Sequence, residues 1–504
     1  MKRTVAIVGG GLAGLAAGCA LTDAGFRVTV FERKPYLGGR ASSYEYPGTG
    51  EVVDNCQHVL LGCCTNLIDF YRRIGAEHLV RWYDRLTFIE PGGRRSTMAT
   101  SALPPPLHTA PSFLRAAALS WRDKLAIARA LMAMLHRTPT DDGRSFLEWL
   151  RAHGQTEGAI ERFWKVVLVS ALNEDLDRMS TPAAAMVFRE SFLKSVQGGR
   201  MGVPRVPLTE LYSKAGDYIC AHGGSVELRT PVETVEPIGE ASGAAEVWAS
   251  RPGVRVCAAG KPRMLDYAVM AVPFDVLARL LPQAPEAGPL RAELARFETS
   301  PITGVHLWFD RQVTDLDHAV LLDRTIQWMF HKSQIQERSP FSVSRSPLAQ
   351  SEGAYVQRTA DSKERATGNG ERGTENDYLE IVISASKALV NKSRAEVIEL
   401  TLHELAEFFP AVREAKLVKA TVVKEVRATY SPLPGSDVHR PAALTPWPQM
   451  FLAGDWTATG WPATMEGAVR SGYLAAEALC RSLSGPRQFL VPDLPPSGLM
   501  RLIS

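Results

Sequence analysis

Two stretches at opposite ends of the chain hold the residue types and spacings that grip a phosphate-linked dinucleotide. The first is Gly9-Gly10-Gly11-Leu12-Ala13-Gly14, directly after the apolar run Thr4-Val-Ala-Ile-Val8. Gly9 is expected to turn the chain out of a strand, Gly11 to let the backbone approach a pyrophosphate, and Gly14 to let the next helix pack close on the sheet. The N–H groups that open that helix, around Leu12 and Ala13, then face the phosphates with the positive end of the helix dipole behind them. A second apolar run, Arg27-Val-Thr-Val-Phe31, ends at Glu32, where a carboxylate can accept ribose hydroxyls; Arg33 and then Gly38-Gly39-Arg40 follow. More than four hundred residues later come Met450-Phe-Leu-Ala-Gly454-Asp455-Trp456 and Pro462-Ala-Thr-Met465-Glu466-Gly467-Ala468. A glycine-rich turn alone is a weak signal, but strand, turn, helix, strand and terminal acid in this order make a strong one. A dinucleotide held from both ends of so long a chain points to FAD.

Between these ends, Glu51-Val-Val-Asp54-Asn55-Cys56-Gln57-His58 offers candidate proton donors. Asp54 and His58 are the catalytic candidates, because this segment follows the Gly-Gly-Arg and should approach the flavin ring. Burial is expected to raise the Asp54 carboxyl pKa and suit it to acid catalysis. The competing reading is structural: Asp54, Asn55 and Gln57 tie loops together while His58 packs in the core. Residues 465–468 are expected to open the last helix and aim its N–H groups at the flavin pyrimidine, which favours the anionic reduced ring. Glu466 in that first turn also suits the dipole of its own helix.

The elements needed to position these residues read as an α/β fold. A Rossmann-like FAD-binding domain takes 1–70, 201–272 and 441–482; a mixed α+β substrate domain takes 71–200, largely helical, and 273–440; 483–504 is a tail. Within this frame, 222–236 reads as a turn and strand pair, 264–273 as a buried strand, and 381–384 and 418–424 as strands of the mixed block. Residues 333–376 are rich in Ser, Arg, Glu, Gly and Gln and lack a sustained apolar period. They read as a disordered insertion between adjacent strands at 328–330 and 378–381.

Bulk properties narrow the function classes. With 504 residues the chain supports two or more domains, and a net charge of +3 indicates no nucleic-acid partner. Seven cysteines without a CxxC pair argue against a disulfide framework or a metal site. The Met-Lys-Arg start has the look of a signal-peptide n-region, but the nucleotide-binding strand begins at once, so a cytoplasmic enzyme is expected. No apolar run reaches the roughly twenty residues that a bilayer span needs. In 112–136, Leu114, Ala118, Trp121, Leu125, Ala128, Met132 and Leu135 recur at helical spacing, interleaved with Arg115, Arg122, Lys124, Arg129 and Arg137. Such a helix either packs on its own domain or lies peripherally on an anionic membrane.

The Gly-Gly-Arg after Glu32 resembles the flavoprotein superfamily of amine oxidases, phytoene desaturases and protoporphyrinogen oxidases, whose FAD domains are of glutathione-reductase type. The resemblance implies that Arg40 lies along the FAD diphosphate, that Val232 touches the adenine through its backbone, and that Asp455 contacts the ribityl chain or phosphate. Residues 51–62, Asn66, Phe163-Trp164, Ala171-Leu-Asn173 and 451–472 are similar to the hydroxysqualene dehydroxylase family of bacterial squalene and hopanoid synthesis. That family shows Asp-Asn-Gly-Gln-His where this chain has Cys56, so a strained backbone is expected at Cys56 if the glycine's φ is positive.

The likeness implies a C30 isoprenoid substrate that loses an allylic hydroxyl as water and gains a hydride from reduced flavin, giving squalene. It also implies contact with upstream enzymes of the squalene pathway. No second glycine-rich nucleotide turn follows another strand, so an external electron donor is expected to recharge the flavin. The rival readings are an oxidative carotenoid desaturase or amine-oxidase-like enzyme, and a non-enzymatic prenyl-lipid carrier on the same scaffold.

Overall fold

The apolar run that opens the chain becomes the central strand of a parallel sheet. In this computed structural model, which describes residues 2–46, 51–136, 139–239, 252–336 and 377–502, Thr4–Val8 lies between Arg27–Phe31 and Tyr267–Met270. Ser225–Glu227 and Met450–Leu452 complete five parallel strands drawn from distant parts of the chain. Val5, Ala6 and Ile7 are fully buried, as a parallel sheet covered on both faces requires. One face carries the helices Leu12–Asp23, Leu208–Ala221 and Met465–Ser482. The first and last of these cross closely, since a Cβ at Gly472 would overlap the backbone of Ala13 and Ala17. The other face is covered by an antiparallel sheet of Val232–Ile238, Gly253–Ala258 and Lys261–Leu265.

The turn and both strands expected over 222–236 are present, but the two strands belong to different sheets. Ser225–Glu227 joins the parallel sheet and Val232–Ile238 the antiparallel one, with Arg229 at φ +53° turning the chain between them.

The second body is a seven-stranded sheet in the order Leu417–Tyr430, Thr299–Phe309, Asp377–Ser384, Trp328–His331, His318–Leu321, Arg85–Ile89, Arg95–Ala99. Trp328–His331 and Asp377–Ser384 are antiparallel neighbours, as expected from the strands that flank 333–376. Of that segment, Ser333 to Ile335 continue a short helix, Lys332–Ile335, and are not disordered; 337–376 lie outside the described residues. The block expected to be helical also contains Val80–Tyr83, Arg85–Ile89 and Arg95–Ala99, and the last two extend the large sheet. The amphipathic stretch 112–136 is two helices, Ala110–Arg115 and Trp121–His136. Ser120 and Asp123 start the second by a reciprocal cap: Asp123 N–H donates to Ser120 Oγ at 3.2 Å, and Ser120 N–H donates to Asp123 Oδ2 at 2.8 Å. No described helix is long and apolar enough to cross a membrane.

Candidate flavin and substrate site

One cavity of about 510 Å³ runs from the glycine-rich turn to a chamber between the helical block and the seven-stranded sheet. At the nucleotide end its lining includes Gly9, Gly11, Leu12, Ala13, Glu32 and Arg33, then Gly39, Arg40, Val232, Gly454, Asp455 and Met465. Gly14 does not line it. A Cβ at Gly14 would overlap the carbonyl oxygen of Gly9, so this glycine serves the close packing of helix on turn. Gly11 differs: a Cβ there meets nothing nearer than Gly39 Cα at 3.8 Å, and the backbone stays open to the cavity. Glu32 is oriented by its own loop, accepting the Gly10 N–H on Oε2 at 2.7 Å and the Lys34 N–H on Oε1 at 2.8 Å. The Arg40 guanidinium joins the two ends of the chain, donating to Asp455 Oδ1 at 2.7 Å and to the Ala428 carbonyl at 2.8 Å. A glycine turn open at Gly11, an acid at the end of the second strand and the Arg40 guanidinium held by the last segment together fit a dinucleotide diphosphate.

The helix Met465–Ser482 opens at the cavity, capped by Thr464 Oγ1, which accepts the Gly467 N–H at 3.0 Å. The Glu466 carboxylate serves a different helix from its own. It accepts the N–H groups of Asn66 at 3.2 Å and Leu67 at 2.8 Å, and Asn66 Nδ2 at 2.9 Å, and so caps Thr65–Arg73 from 400 residues away. Burial pushes this carboxyl up despite those hydrogen bonds. Glu466 still lines the cavity, but its oxygens are committed to the cap.

Asp54 and His58 part company. Asp54 is buried behind the cavity wall, accepting from Lys332 Nζ at 2.6 Å, Ser43 Oγ at 2.5 Å and the Leu208 N–H at 3.1 Å. Burial alone would raise its pKa, but the Lys332 charge and these hydrogen bonds outweigh it and hold the carboxyl below its usual range. The expectation of a raised Asp54 pKa is therefore corrected, because an ammonium stands beside it. His58 does line the cavity. Its Nδ1 is 2.8 Å from the Cys56 carbonyl, which can only accept, so Nδ1 carries the proton and Nε2 of the neutral ring is an acceptor. Burial lowers its pKa, partly offset by that hydrogen bond, and favours this neutral form. Cys56 has no positive φ, so the strain expected at this position is absent.

The chamber beyond is mostly apolar, with Val166, Val167 and Met186 from the helices facing Ile302, Phe330 and Val382 from the sheet. Asn173, at φ +53°, clamps these two layers together: Nδ2 donates to the Ser300 carbonyl and Thr429 Oγ1, and Oδ1 accepts the Ala385 N–H at 2.7 Å. Glu190, which sequence reasoning passed over, also lines the cavity and accepts from Lys194 Nζ at 2.7 Å. Its signal, a Glu and Lys four apart on a helical stretch, looks like any surface pair.

A dinucleotide cradle feeding an apolar chamber defines a flavoprotein oxidoreductase. The chain matches the family model described as flavin containing amine oxidoreductase over residues 12–480, and it belongs to that family; it is an FAD-dependent oxidoreductase. It is 28% identical to a 15-cis-phytoene desaturase of Synechococcus elongatus, over 94% of this chain and 95% of that protein. A probable zeta-carotene desaturase of the same organism is also 28% identical, over 94% and 98%. Among solved structures, an oxidoreductase from Methanosarcina mazei superposes with TM-score 0.67 at 16% identity, over 93% of this chain and 98% of that one. Cyclohexylamine oxidase from Brevibacterium oxydans superposes with TM-score 0.62 at 17% identity, over 96% and 100%. These two likenesses establish the fold.

Proposed function

We propose that this enzyme exchanges hydride with a long linear polyisoprenoid. The observation that carries this reading is the continuity of the cavity, in which one wall runs from Gly11, Arg40 and Asp455 to the apolar chamber at Phe330 and Val382. Bound FAD supplies hydride acceptance or donation; the chain supplies a dry apolar channel and few polar groups. Neutral His58 is suited to accept a proton or a hydrogen bond at Nε2.

Hydride can flow in either direction, and each direction has its own support. Removing a hydride from one saturated carbon and a proton from its neighbour forms a double bond, and the similarity to phytoene and zeta-carotene desaturases favours this flow. In the reverse flow, a hydroxyl leaves with one proton as water and a hydride takes its place. The likeness of 51–62 and 451–472 to hydroxysqualene dehydroxylases favours that reading, with the cavity-lining carboxyl of Glu190 as the group that carries the proton to the leaving hydroxyl, since neutral His58 presents only an acceptor. The test uses FAD-loaded protein under anaerobic conditions. Bleaching of the oxidised flavin by phytoene supports desaturation, and reoxidation of the reduced flavin by hydroxysqualene with squalene formed supports dehydroxylation. Inertness to both would overturn the polyisoprenoid reading, and binding without any flavin change would favour the carrier.

We also infer that the enzyme meets its insoluble substrate at an anionic membrane surface. Trp121, Leu125 and Met132 repeat on one face of Trp121–His136 and are 71%, 53% and 62% exposed, while Ile127, Ala130 and Met134 pack inward. Arg122 and Arg129 flank the exposed apolar face, the pattern of an interfacial helix.

A further inference from the structure

A buried ionic cluster stands behind the cavity wall and takes no part in the hydride chemistry above. Lys332 opens the helix Lys332–Ile335 with its side chain 1% exposed, and it meets two carboxyls, Asp54 at 2% and Glu380 at 0%. Its Nζ donates to Asp54 Oδ2 at 2.6 Å and to Gln57 Oε1 at 2.7 Å, and lies 3.4 Å from Glu380 Oε2. Two of the three N–H bonds of the ammonium are thus used on Asp54 and Gln57, and the third is left with the longer Glu380 contact. Gln57 is the link to the site: it lines the cavity, and its Nε2 donates to the His58 carbonyl at 3.0 Å.

The two carboxyls are treated unequally. Asp54 has further donors in Ser43 and Leu208, whereas Glu380 has the long contact to Nζ and no well-formed hydrogen bond. One cation cannot fully compensate two buried anions, so Glu380 is the group on which a proton settles. Burial, with the Asp54 charge adding to it and Lys332 opposing, pushes its carboxyl up to about 7.

The remaining groups around the cluster come from the strands on either side of Glu380; on Trp328–His331, His331 is bonded to Asp377 and so is spent there. His306, opposite Glu380 on Thr299–Phe309, is pushed down to about 3 by burial and by Lys332, and so is neutral. Burial raises Tyr378 on the same strand as Glu380, and Cys56 beside it, while His58 is lowered; Glu425 on Leu417–Tyr430 is reached through Asn55. None of these supplies a second cation.

We infer that Glu380 is a positioning residue that acts on the cavity through Lys332 and Gln57. With Glu380 protonated, Lys332 belongs to Asp54 and Gln57, and the Gln57 amide is fixed with its Nε2 on the His58 carbonyl. With Glu380 ionised, Nζ is drawn toward it and away from Gln57, and the wall segment that presents His58 is loosened. This holds for either direction of hydride flow.

The test is Glu380→Gln in the FAD-loaded protein, followed by infrared spectroscopy from about pH 5 to about pH 9. Wild type should show a protonated-carboxyl band that disappears near pH 7 and is missing from Glu380→Gln. This readout needs no substrate, so it stands or falls separately from the polyisoprenoid reading. On whichever isoprenoid proves active, wild-type kcat should break near the same pH with KM unchanged, and the break should be absent in Glu380→Gln and in Gln57→Leu. Combining the two substitutions should add nothing further to the pH profile. A carboxyl band titrating near pH 7 that survives Glu380→Gln, or additive effects of the two substitutions, would overturn the inference.

Discussion

At the scale of single residues, neighbours of the same type do opposite work. Gly11 faces open cavity and Gly14 faces the carbonyl of Gly9. Gly11→Val is therefore expected to give a folded protein without bound flavin, read as native circular dichroism with no yellow absorbance. Gly14→Val should prevent the nucleotide domain from folding at all. Asp54 and His58 separate in the same way. Asp54→Asn removes one of the two anions facing Lys332 and leaves Glu380 to pair with it, and should cost about 1–3 kcal/mol, seen as a lowered Tm. His58→Gln should leave Tm near wild type and slow hydride transfer by roughly a hundred- to ten-thousand-fold.

Glu380 gives a pH signature of its own. Its folded state keeps a proton that the unfolded chain releases above the ordinary 4.5, so this group's contribution to stability falls as pH rises toward about 7 and is lost beyond it. Glu380→Gln should consequently show a Tm advantage over wild type that widens from mildly acid pH and levels off above neutrality. The glycine-rich turn and Glu32 are legible in local spacing, whereas Arg40 and Asp455, 415 residues apart, stand out only through the family resemblance. Lys332 and Glu380 are not legible, because their meeting depends on a strand register that no short-range pattern encodes.

At the scale of elements, apolar periodicity located the helices but not their breaks. The stretch 112–136 reads as one continuous amphipathic helix because its spacing survives the interruption. The Ser120–Asp123 cap that divides it is a two-residue signal easily lost among basic residues. The exposed face nevertheless belongs to the second helix, and it makes a prediction. Replacing Trp121 and Leu125 with Asp should reduce sedimentation with anionic liposomes while FAD stays bound. Equal sedimentation of mutant and wild type would remove the bilayer from the account. The strands at 85–99 were harder to read, since their residues are mostly half-buried at the edge of the large sheet and their alternation is weak.

At the scale of the whole molecule, the two ends of the chain complete each other. Arg40 closes on Asp455, helix Leu12–Asp23 crosses helix Met465–Ser482, and Glu466 caps the helix that starts at Thr65. This last contact has a consequence for how the protein is made. At about 5–20 residues per second, the 400 residues between Asn66 and Glu466 take roughly 20 to 80 s to synthesise. Throughout that interval the first glycine turn is finished, yet the helix beside it lacks its cap and the flavin cradle lacks its far wall. Cofactor capture is thereby deferred until translation is over. In a cell-free system with stalled ribosomes, chains halted before residue 450 should retain no FAD, and only released full-length chains should turn yellow. Until then the apolar faces of the opening helix are open to the surrounding medium, so translation speed and chaperone supply should govern the yield of this protein more than its final stability does.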